Sequence, residues 1–391
     1  MRVAMVGPYP LDPLRIHGGV EAAAFYMGEA LKGRADVELH IISATKQVKS
    51  ERRTRDSRAS YLYLAEPTRR IVPNMIANVG RLRTAIDEIK PDIVHANHPS
   101  GALAAIAGGY PTVFAIHAVM RNEIRYYGGG IGTKASLALL KYITNKAISR
   151  ATHCAAVSSY VAREYGPIAR GGITVIPNAV EDRFFRVEGD PIDGRMLYVG
   201  LIRTRKNVVG MVRAFRTVKQ NYPAAELRLA GEIMDRPDYD QMMDYSRANG
   251  MTDSVLFLGM QNQEQLEKEH ALAALICIFS WHETFSLTVA QGMAAGRPVV
   301  TSNCGGPSDL MIDGETGFLV DVGDEAAFAE KCLILLKDAD LRRRMGKRAR
   351  EVARERFSAE AVAKKACDLY ATLLGAGQPR GSEVAPGAQS R

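Results

Sequence analysis

The chain lacks most features that mark a secreted, membrane-spanning or metal-bound protein. Its 391 residues include five cysteines, an odd number, scattered without a Cys-x-x-Cys pair. This pattern argues against a disulfide framework or a zinc site and favours a reducing compartment. The longest apolar run we find, 271–279, is far shorter than the ~20 residues of a membrane span. The first residues lead directly into a strand-like run without the apolar core of a signal peptide, so we expect a cytoplasmic protein.

Basic charge is concentrated in the first half of the chain. Residues 1–190 hold 25 Lys and Arg against 17 Asp and Glu, whereas residues 191–391 hold 26 of each. Part of the excess lies in a local run at 46–58. Such a run is usually a solvated loop. The alternative is attraction to an anionic membrane surface or to a phosphate-bearing acceptor. Aromatic residues are not interleaved with the basic ones, so we expect no nucleic-acid partner.

Short apolar, strand-like runs alternate with helix-like stretches along the chain. In the first half the strand-like runs are 2–7, 37–43, 92–97, 112–117, 153–158 and 173–178. In the second half they are 196–200, 226–232, 255–259, 273–280, 297–302 and 314–320. Continuous apolar strands alternating with helices indicate parallel sheets covered on both faces. We therefore predict an α/β protein with two Rossmann-like, doubly wound domains facing across a cleft, with ligands beyond the carboxyl ends of the strands.

A stretch rich in Gly, Pro and charge at 184–195 predicts a linker between the two halves. We place an N-terminal domain at 1–184 and a C-terminal domain at 185–356. A helix over 357–374, with Ser358 as a plausible N-cap, is expected to pack back on the N-terminal domain. The remaining residues, 375–391, are rich in Gly, Pro, Ser and Ala and predict a disordered tail.

The segment with the clearest chemical interest is SWHETFSLTVAQGMAAGRPVV, residues 280–300. Its central part predicts a helix that is apolar on nearly all sides and therefore buried. Thr284 or Ser286 is a candidate cap, and the backbone N–H groups at such a helix start attract phosphate. Glu283 would point into the same space, with Gln291 about two turns further in. On the residues alone, a surface Glu and a Gln bonded to backbone remain an equally good interpretation.

The residues 282–320 resemble the signature block of the family 4 retaining glycosyltransferases, which have the GT-B fold. The similarity extends over nearly the whole chain in the expected order. It includes GGVE (18–21), AIH (115–117), VIPNAV (175–180), YVGLIRTRKN (198–207) and LAGE (229–232). The resemblance implies two facing Rossmann-like domains, with the acceptor on the first and a nucleotide-sugar donor on the second. It also implies transfer with retained anomeric configuration, without a metal or other cofactor.

The resemblance also implies roles for single residues. Glu283 and His117 would position the donor sugar, and Lys206 would neutralise the diphosphate leaving group, whose negative charge grows as the glycosidic bond breaks. These three are the candidate catalytic residues. Glycines at the other side let the backbone approach the diphosphate. The full set of expected donor-binding residues is Gly18, Gly19, Arg203, Arg205, Lys206, Glu283, Thr284, Phe285, Ser286, Leu287 and Gln291, with residues 284–287 acting through backbone N–H groups.

Three positions depart from the family pattern. The second Glu of the signature, which accepts bonds from ribose hydroxyls, is Gln291 here, and an amide offers one acceptor oxygen instead of two. We expect weaker or rearranged nucleotide binding from this change. Leu201 stands where many relatives carry an Arg, and Arg205 is a better candidate than Arg203 to replace that charge. Asp309 replaces a commoner Glu, a minor change.

The expected function is the transfer of a sugar from a UDP- or GDP-sugar to a hydroxyl acceptor in polysaccharide, glycolipid or cell-envelope glycan synthesis. The acceptor would be a glycan, a lipid-linked group or a small molecule. Two rivals remain: a sugar-nucleotide epimerase or hydrolase on the same fold, and a non-catalytic relative that still binds nucleotide sugars. Helix 136–150, amphipathic with basic residues, predicts ordinary core packing. Its alternative is docking on an anionic membrane, at the inner face of the cell membrane.

Two further signals have plain structural explanations. The sequence DYD at 238–240 matches the metal motif of another glycosyltransferase fold, but its context predicts the start of a surface helix. His95 and His98 are three residues apart without obvious partner ligands. They border the acceptor side of the cleft, or they have a packing or surface role.

Overall fold

The structure is a computed structural model that describes residues 1–13, 16, 18–66, 74–126 and 131–376. The fourteen strands within these residues form two separate sheets. Most of the predicted tail, 377–391, lies outside the described residues, whereas residues 375 and 376 still belong to the last helix.

The first sheet has eight strands, in the order β3-β4-β2-β1-β5-β6-β7-β8. Their bounds are β1 Arg2–Val6, β2 Glu38–Thr45, β3 Arg52–Arg55, β4 Ala59–Ala65, β5 Ile93–Ala96, β6 Thr112–Ile116, β7 His153–Ala156 and β8 Ile173–Val175. All neighbours are parallel except β3, which pairs antiparallel with β4 at the edge. The central strands are parallel and buried because their continuous apolar runs are covered by helices on both faces.

Helices cover the first sheet. They are α1 Gly19–Lys32, α2 Asn74–Ile89, α3 Pro99–Ala107, α4 Met120–Glu123, α5 Ile131–Arg150, α6 Ser159–Tyr165 and α7 Asp182–Phe185, with short 3-10 turns at Ile124–Tyr126 and Gly166–Ile168. The strand ends of β1, β5 and β6 lie side by side, since Val6 is in register with Ala96, and Ala96 with Phe114. Residues that follow these strands therefore meet at one edge of the sheet.

The second sheet has six parallel strands, in the order β11-β10-β9-β12-β13-β14. They are β9 Arg195–Val199, β10 Glu226–Ala230, β11 Val255–Gly259, β12 Leu275–Ile278, β13 Val299–Ser302 and β14 Gly317–Val320. The helices of this half are α8 Val208–Asn221, α9 Arg236–Ala248, α10 Gln263–Leu272, α11 Leu287–Ala294, α12 Pro307–Leu310, α13 Glu325–Lys337 and α14 Ala339–Phe357, with a 3-10 turn at Thr204–Lys206. The DYD sequence lies in the first turns of α9, as predicted.

The last helix, α15 Ala359–Ala376, returns to the first sheet and packs beside α1. Ser358 accepts a hydrogen bond from the Ala361 N–H, which confirms it as the cap. Val180 N–H bonds to the Phe357 carbonyl at 2.8 Å, so the chain passes between the two sheets twice at nearly the same place. The position of the domain boundary stays a prediction.

Two strands of the first sheet, β3 and β4, were not predicted from the sequence. Strand β3, RRTR, lies inside the basic run that was predicted to be a loop, and all four of its residues are exposed. Its neighbour β4 was not recognised either. Charged residues on an exposed edge strand keep a sheet from pairing with other chains, so the loop prediction for 46–58 is wrong where this edge strand runs.

Candidate active site

The segment between β12 and α11 lies where the carboxyl ends of the two sheets meet. Ser286 adopts a left-handed conformation with φ 77° and turns the chain into α11. Its hydroxyl makes no capping bond, and the Thr284 hydroxyl donates to the His117 carbonyl instead, so the predicted caps are wrong. The N–H groups of residues 284–287 have no acceptor among the described residues. They are therefore available to a bound group.

Glu283 is the centre of a buried charge cluster. Its side chain is only 6% exposed, and its carboxylate accepts hydrogen bonds from Lys206 Nζ at 2.5 Å and Ser280 Oγ at 2.9 Å. Arg205 Nη1 lies 3.4 Å from the other carboxylate oxygen and 2.7 Å from the His282 carbonyl. Two cations thus surround one buried carboxylate, and the cluster carries a net positive charge.

The protonation state of Glu283 follows from these contacts. Burial alone would raise the pKa of this carboxyl, because it disfavours the charged form. The charges of Lys206 and Arg205, with the hydrogen bonds from Lys206 and Ser280, outweigh burial and lower the pKa to about 2. Glu283 is therefore a carboxylate at every physiological pH and can accept hydrogen bonds from hydroxyls but cannot donate a proton.

The two cations are held by the 3-10 turn at Thr204–Lys206, directly after β9. Asn207 then takes a left-handed conformation with φ 49°, and its side chain caps α8 through the Gly210 N–H. Asn tolerates this conformation better than most residues. The turn directs Arg205 and Lys206 toward the strand-end segment that carries Glu283.

The opposite wall is formed by strand ends of the first sheet. His117 follows β6, and its Nε2 lies 3.0 Å from Oδ1 of Asn97, which follows β5. Since this oxygen can only accept, Nε2 carries the proton. Burial, with a smaller effect of His95, lowers the pKa of His117 to about 3, so the ring is neutral. The bond between Thr284 Oγ1 and the His117 carbonyl, at 2.9 Å, joins this wall to the Glu283 segment.

A second set of contacts joins the walls at α6. Ser158 Oγ donates to the Thr284 carbonyl at 2.6 Å, and the Tyr160 hydroxyl lies 3.0 Å from Nε2 of His282. The Tyr160 N–H donates to the Asp309 carboxylate at 2.6 Å. Asp309, one of the positions that depart from the family pattern, thus holds the start of α6 against the second sheet.

The remaining predicted site residues lie around this centre. Gly18 has φ 82°, and a Cβ atom on Gly18 or Gly19 would meet nothing within 4 Å, so the start of α1 borders open space. Gln291 is buried, and its amide makes no hydrogen bond to another described residue. Arg203 begins the turn that carries Arg205 and Lys206.

Two of the expected donor-binding positions have buried or partly buried apolar side chains. Phe285 packs edge-on against Phe357 in the core, with ring centroids 5.7 Å apart, and Leu287 packs against the same core. Only their backbone N–H groups are available for the role implied by the resemblance. That role stays a prediction.

Three residues of this arrangement were missed in the sequence. Ser280 donates to Glu283, Asn97 holds His117, and Tyr160 contacts His282. Ser280 and Asn97 carried a usable signal, because each lies within two residues of the carboxyl end of a buried strand. Tyr160 carried none, since its contact bridges 122 positions of the chain.

The geometry suits the binding of an anionic group beside a hydroxylated one. Lys206, Arg205 and the unbonded N–H groups at the start of α11 offer positive charge and donors. Glu283 offers acceptor oxygens in the same place. Among the residues that the structure describes, no group of three or more His, Cys, Asp or Glu is arranged to hold a metal ion. None of the described helices is both long and apolar enough to cross a membrane.

Two family models match consecutive parts of the chain, which overlap only at residues 182–184. The model described as "Glycosyltransferase Family 4" matches residues 17–184, and the model described as "Glycosyl transferases group 1" matches residues 182–352. The two matches together include both walls of the site.

The chain is similar in sequence to several named bacterial proteins. The chain is 31% identical to N-acetyl-alpha-D-glucosaminyl L-malate synthase of Bacillus anthracis over 46% of this chain and 45% of the relative. This match spans about half the length of that relative. The chain is 28% identical to glycogen synthase of Mycobacterium tuberculosis over 74% of this chain and 71% of the relative.

Solved structures share the fold at low sequence identity. A sucrose-phosphate synthase from Thermosynechococcus elongatus matches with a TM-score of 0.80 at 19% identity, covering 96% of this chain and all of the other. Anabaena HepE in complex with UDP-glucose matches with a TM-score of 0.72 at 17% identity, covering 95% and 100%. These neighbours establish the GT-B architecture of two parallel-sheet α/β domains.

Proposed function

Because the chain belongs to the group 1 glycosyltransferases of family 4, we propose that it transfers a sugar from a nucleoside diphosphate sugar to a hydroxyl acceptor. The donor is a UDP- or GDP-sugar, the anomeric configuration is retained, and no metal or cofactor takes part. The acceptor is a glycan, a lipid-linked group or a small molecule.

The observation that carries this proposal is the charge cluster around Glu283. A carboxylate buried with Lys206 and Arg205 presents acceptors for sugar hydroxyls directly beside cations for a diphosphate. Charge stabilisation aimed at a leaving oxygen contributes strongly in a water-poor site. The bond from the anomeric carbon to the phosphate oxygen breaks with its electron pair on the diphosphate, where these cations neutralise the charge.

Retention requires that the acceptor hydroxyl attack from the face that the diphosphate leaves. The oxygen of the hydroxyl then bonds to the anomeric carbon, and its proton passes to the departing phosphate oxygen. Neutral His117, fixed by Asn97 on the opposite wall, is placed to orient the donor sugar without adding charge. The contacts at Thr284 and Tyr160 hold the two walls together, which limits access of water as a competing acceptor.

The donor assignment rests on similarity as well as on chemistry. HepE, which shares the fold, has been crystallised in complex with UDP-glucose. Gln291 has a free amide close to the segment that would hold the nucleotide, and it can bond one ribose hydroxyl as acceptor and another as donor. The basic first half of the chain is compatible with peripheral contact to an anionic membrane that carries the acceptor.

Calorimetric titration with UDP, GDP, ADP and dTDP tests the donor site. We expect one nucleotide to bind, K206A to weaken binding by about 1.5–3 kcal/mol because a charged hydrogen bond is lost, and Q291E to strengthen it. The control is K219A, whose ammonium lies on α8 and bonds only backbone carbonyls. A folded protein that binds none of the four would overturn the proposal.

The two rivals give different products. An epimerase or hydrolase would change the nucleotide sugar at the same rate with and without acceptor. The non-catalytic rival is motivated by Gln291, and it predicts nucleotide binding without turnover until Q291E restores activity. Transfer by the unaltered chain, with inversion or retention read from the anomeric proton coupling of the product, decides against both.

A further inference from the structure

A basic cavity of about 510 Å³ lies in the second domain, away from the candidate active site. Ala274 and Pro298 line it, and these residues directly precede β12 and β13. Glu283 instead follows the carboxyl end of β12. Since the four residues of β12 span ~13 Å, the cavity and Glu283 lie at opposite edges of the sheet. The volume is typical of sites for small molecules.

Three segments of the second half of the chain form the walls of this cavity. They are residues 189–191 in the segment that joins α7 to β9, the turn 296–298 before β13, and residues 339–350 of α14. A Cβ atom on Gly346 would clash with the Gly296 carbonyl oxygen, so glycine lets α14 pack directly on the turn. Gly296 itself has φ 69°, and a Cβ atom there would lie 2.9 Å from Arg350 Nη2. The arginine is therefore closely fitted to its surroundings.

Five cations line the cavity against one acidic side chain of the described lining, Asp190. The cations are Arg297, Arg342, Arg343, Lys347 and Arg350. Arg342 lies 3.5 Å from Asp193, and Arg343 pairs with the exposed Asp340. The other three cations have no carboxylate oxygen within 4 Å among the residues that the structure describes. The lining thus carries a clear excess of positive charge.

Two of these arginines are fixed by the fold and each keeps one unused nitrogen. Arg297 is only 7% exposed, and its Nε and Nη2 donate to three backbone carbonyls, including that of Gly189. Arg350 also donates through Nε and Nη2 to three carbonyls, including that of Val187. In both side chains Nη1 has no hydrogen-bond partner in the described part of the chain, and it is not a fully buried atom. Both Nη1 groups therefore remain available to a ligand.

The charges of these two arginines are poorly compensated. Burial, with a smaller effect of Arg350, lowers the pKa of Arg297 to about 10. Burial and the charge of Arg354 likewise lower the pKa of Arg350. Both side chains keep their charge at neutral pH, but that charge is less favourable than in water. A negative group in the cavity would offset this cost.

Helix α14 adds two exposed cations beside them. Arg343, Lys347 and Arg350 are spaced i, i+4 and i+7, so they share one helix face. Arg343 and Lys347 are exposed, and they can reach a ligand that Arg350 holds. Guanidinium groups recognise phosphate through paired N–H donors. A singly charged anion would leave most of the charge unpaired, whereas two or more phosphoryl groups bring several negative charges and many acceptor oxygens.

We propose that this cavity binds a soluble small molecule with two or more phosphoryl groups, at a site separate from the donor cleft. A soluble ligand fits better than a lipid headgroup, because Arg297 is nearly buried and a headgroup fixed in a bilayer meets the exposed cations first. Since Arg297 and Arg350 also hold the segment that joins α7 to β9, the ligand contacts the connection between the domains. The proposal goes beyond the transfer reaction and does not depend on it.

Calorimetric titration with inorganic pyrophosphate and tripolyphosphate tests the site, in about 0.15 M salt to screen exposed charges. The proteins are the full chain, K206A, R343A/K347A and the control R344A/R348A. The control removes two exposed cations at the same spacing on α14 that do not line the cavity. We expect the full chain, K206A and the control to bind a probe alike. R343A/K347A should bind it about tenfold or more weakly, because charged hydrogen bonds are lost.

Two further readouts locate the probe and exclude a purely structural role. The bound probe should slow acetylation of Lys347 by acetic anhydride and leave exposed Lys365 on α15 unchanged. Without probe, R343A/K347A and the control should have the same urea denaturation midpoint. The probe should raise that midpoint in the control and raise it less in R343A/K347A.

Several outcomes would overturn the inference. They are equal affinities of the two double variants, no binding of either probe at millimolar concentration, and binding of citrate as tight as that of tripolyphosphate. Loss of probe binding in K206A would instead place the probe in the donor cleft. Binding to phosphatidylcholine vesicles with phosphatidylglycerol that is lost in R343A/K347A, without binding of a soluble probe, would assign these cations to a membrane.

Discussion

The two walls of the cleft differ in how completely their polar groups are satisfied. On the wall from the second sheet, one oxygen of the Glu283 carboxylate already accepts hydrogen bonds from Lys206 and Ser280, and the other lies 3.4 Å from Arg205. On the wall from the first sheet, Asn97 keeps a buried amide nitrogen without a partner among the described residues.

This difference separates two tasks. A wall that stabilises charge in a transition state is most effective when its groups are already fixed, because no reorganisation is then needed during the reaction. The first-sheet wall is instead uncharged at its centre, where neutral His117 is held by Asn97. We expect substitutions on the second-sheet wall to disturb folding and chemistry together, because its buried charges stabilise one another.

The largest expected effect comes from removing a positive charge that stabilises the Glu283 carboxylate. Replacing Lys206 by Met leaves the buried Glu283 carboxylate with Arg205 alone. Loss of one partner of a buried pair costs about 3–5 kcal/mol, and the remaining cation reduces this, so we expect a decrease of about 2–3 kcal/mol in the free energy of unfolding. Urea denaturation measures it.

The double variant K206M/E283Q sharpens this prediction. Removal of both charges should recover most of the lost stability, while transfer activity stays abolished. Equal stability losses in the single and double variants would contradict the assignment of Glu283 as a carboxylate stabilised by Lys206.

Buried histidines in both domains make the free energy of unfolding depend on pH. His95 in the first domain and His270 in the second are both buried, and burial lowers the pKa of each to about 4. The unfolded chain binds protons below the usual pKa of about 6.5, so the stability contributed by each neutral ring is complete above pH 6.5 and falls by about 1.4 kcal/mol per pH unit down to pH 4.

Denaturation at several pH values, repeated on H95Q and H270Q, tests this dependence. In each variant, the slope of the free energy of unfolding against pH between pH 6.5 and 4 should decrease by about 1.4 kcal/mol per pH unit. A variant that keeps the slope of the parent would show that its histidine is already protonated in the folded protein.

A smaller effect is expected from the bond that joins the two walls. T284V removes the hydrogen bond to the His117 carbonyl, and the typical net value of such a bond is about 0.5–1.5 kcal/mol. We expect this loss in the free energy of unfolding, together with more hydrolysis of the donor relative to transfer, because the closed site would admit more water. The control T217V alters an exposed threonine of α8, and an unchanged ratio of hydrolysis to transfer would exclude a sealing role for Thr284.

Much of the fold follows from local sequence patterns. The strands at the centre of both sheets were predicted because runs such as 3–6 in β1 and the whole of β12 are continuously apolar, which is typical of parallel strands covered on both faces. Strand β3 could not be predicted in this way, because RRTR has no apolar residue and is ordered by pairing with β4. The cap at Ser286 was wrong: Ser286 directly precedes α11, but its hydroxyl makes no hydrogen bond to a helix N–H group.

The contacts within the site were harder to predict from the sequence than the strands and helices. Glu283 stood out by its apolar surroundings, but its partner Lys206 is 77 positions away and was identified only by family resemblance. Arg205, preferred over Arg203, contacts the Glu283 carboxylate, while its role toward a diphosphate stays a prediction.

The return of α15 has a consequence for the order in which this protein can fold during synthesis. Apolar residues of that helix, including Val362, Ala366 and Tyr370, complete the layer that α1 begins, and the Tyr370 hydroxyl bonds to His95 at 2.7 Å. The first domain therefore leaves the ribosome with part of its apolar surface uncovered, and it stays so while the whole second domain is made. A fragment that ends at residue 184 should expose this surface, bind chaperones or associate with itself, and become monomeric when a peptide of residues 359–376 is added.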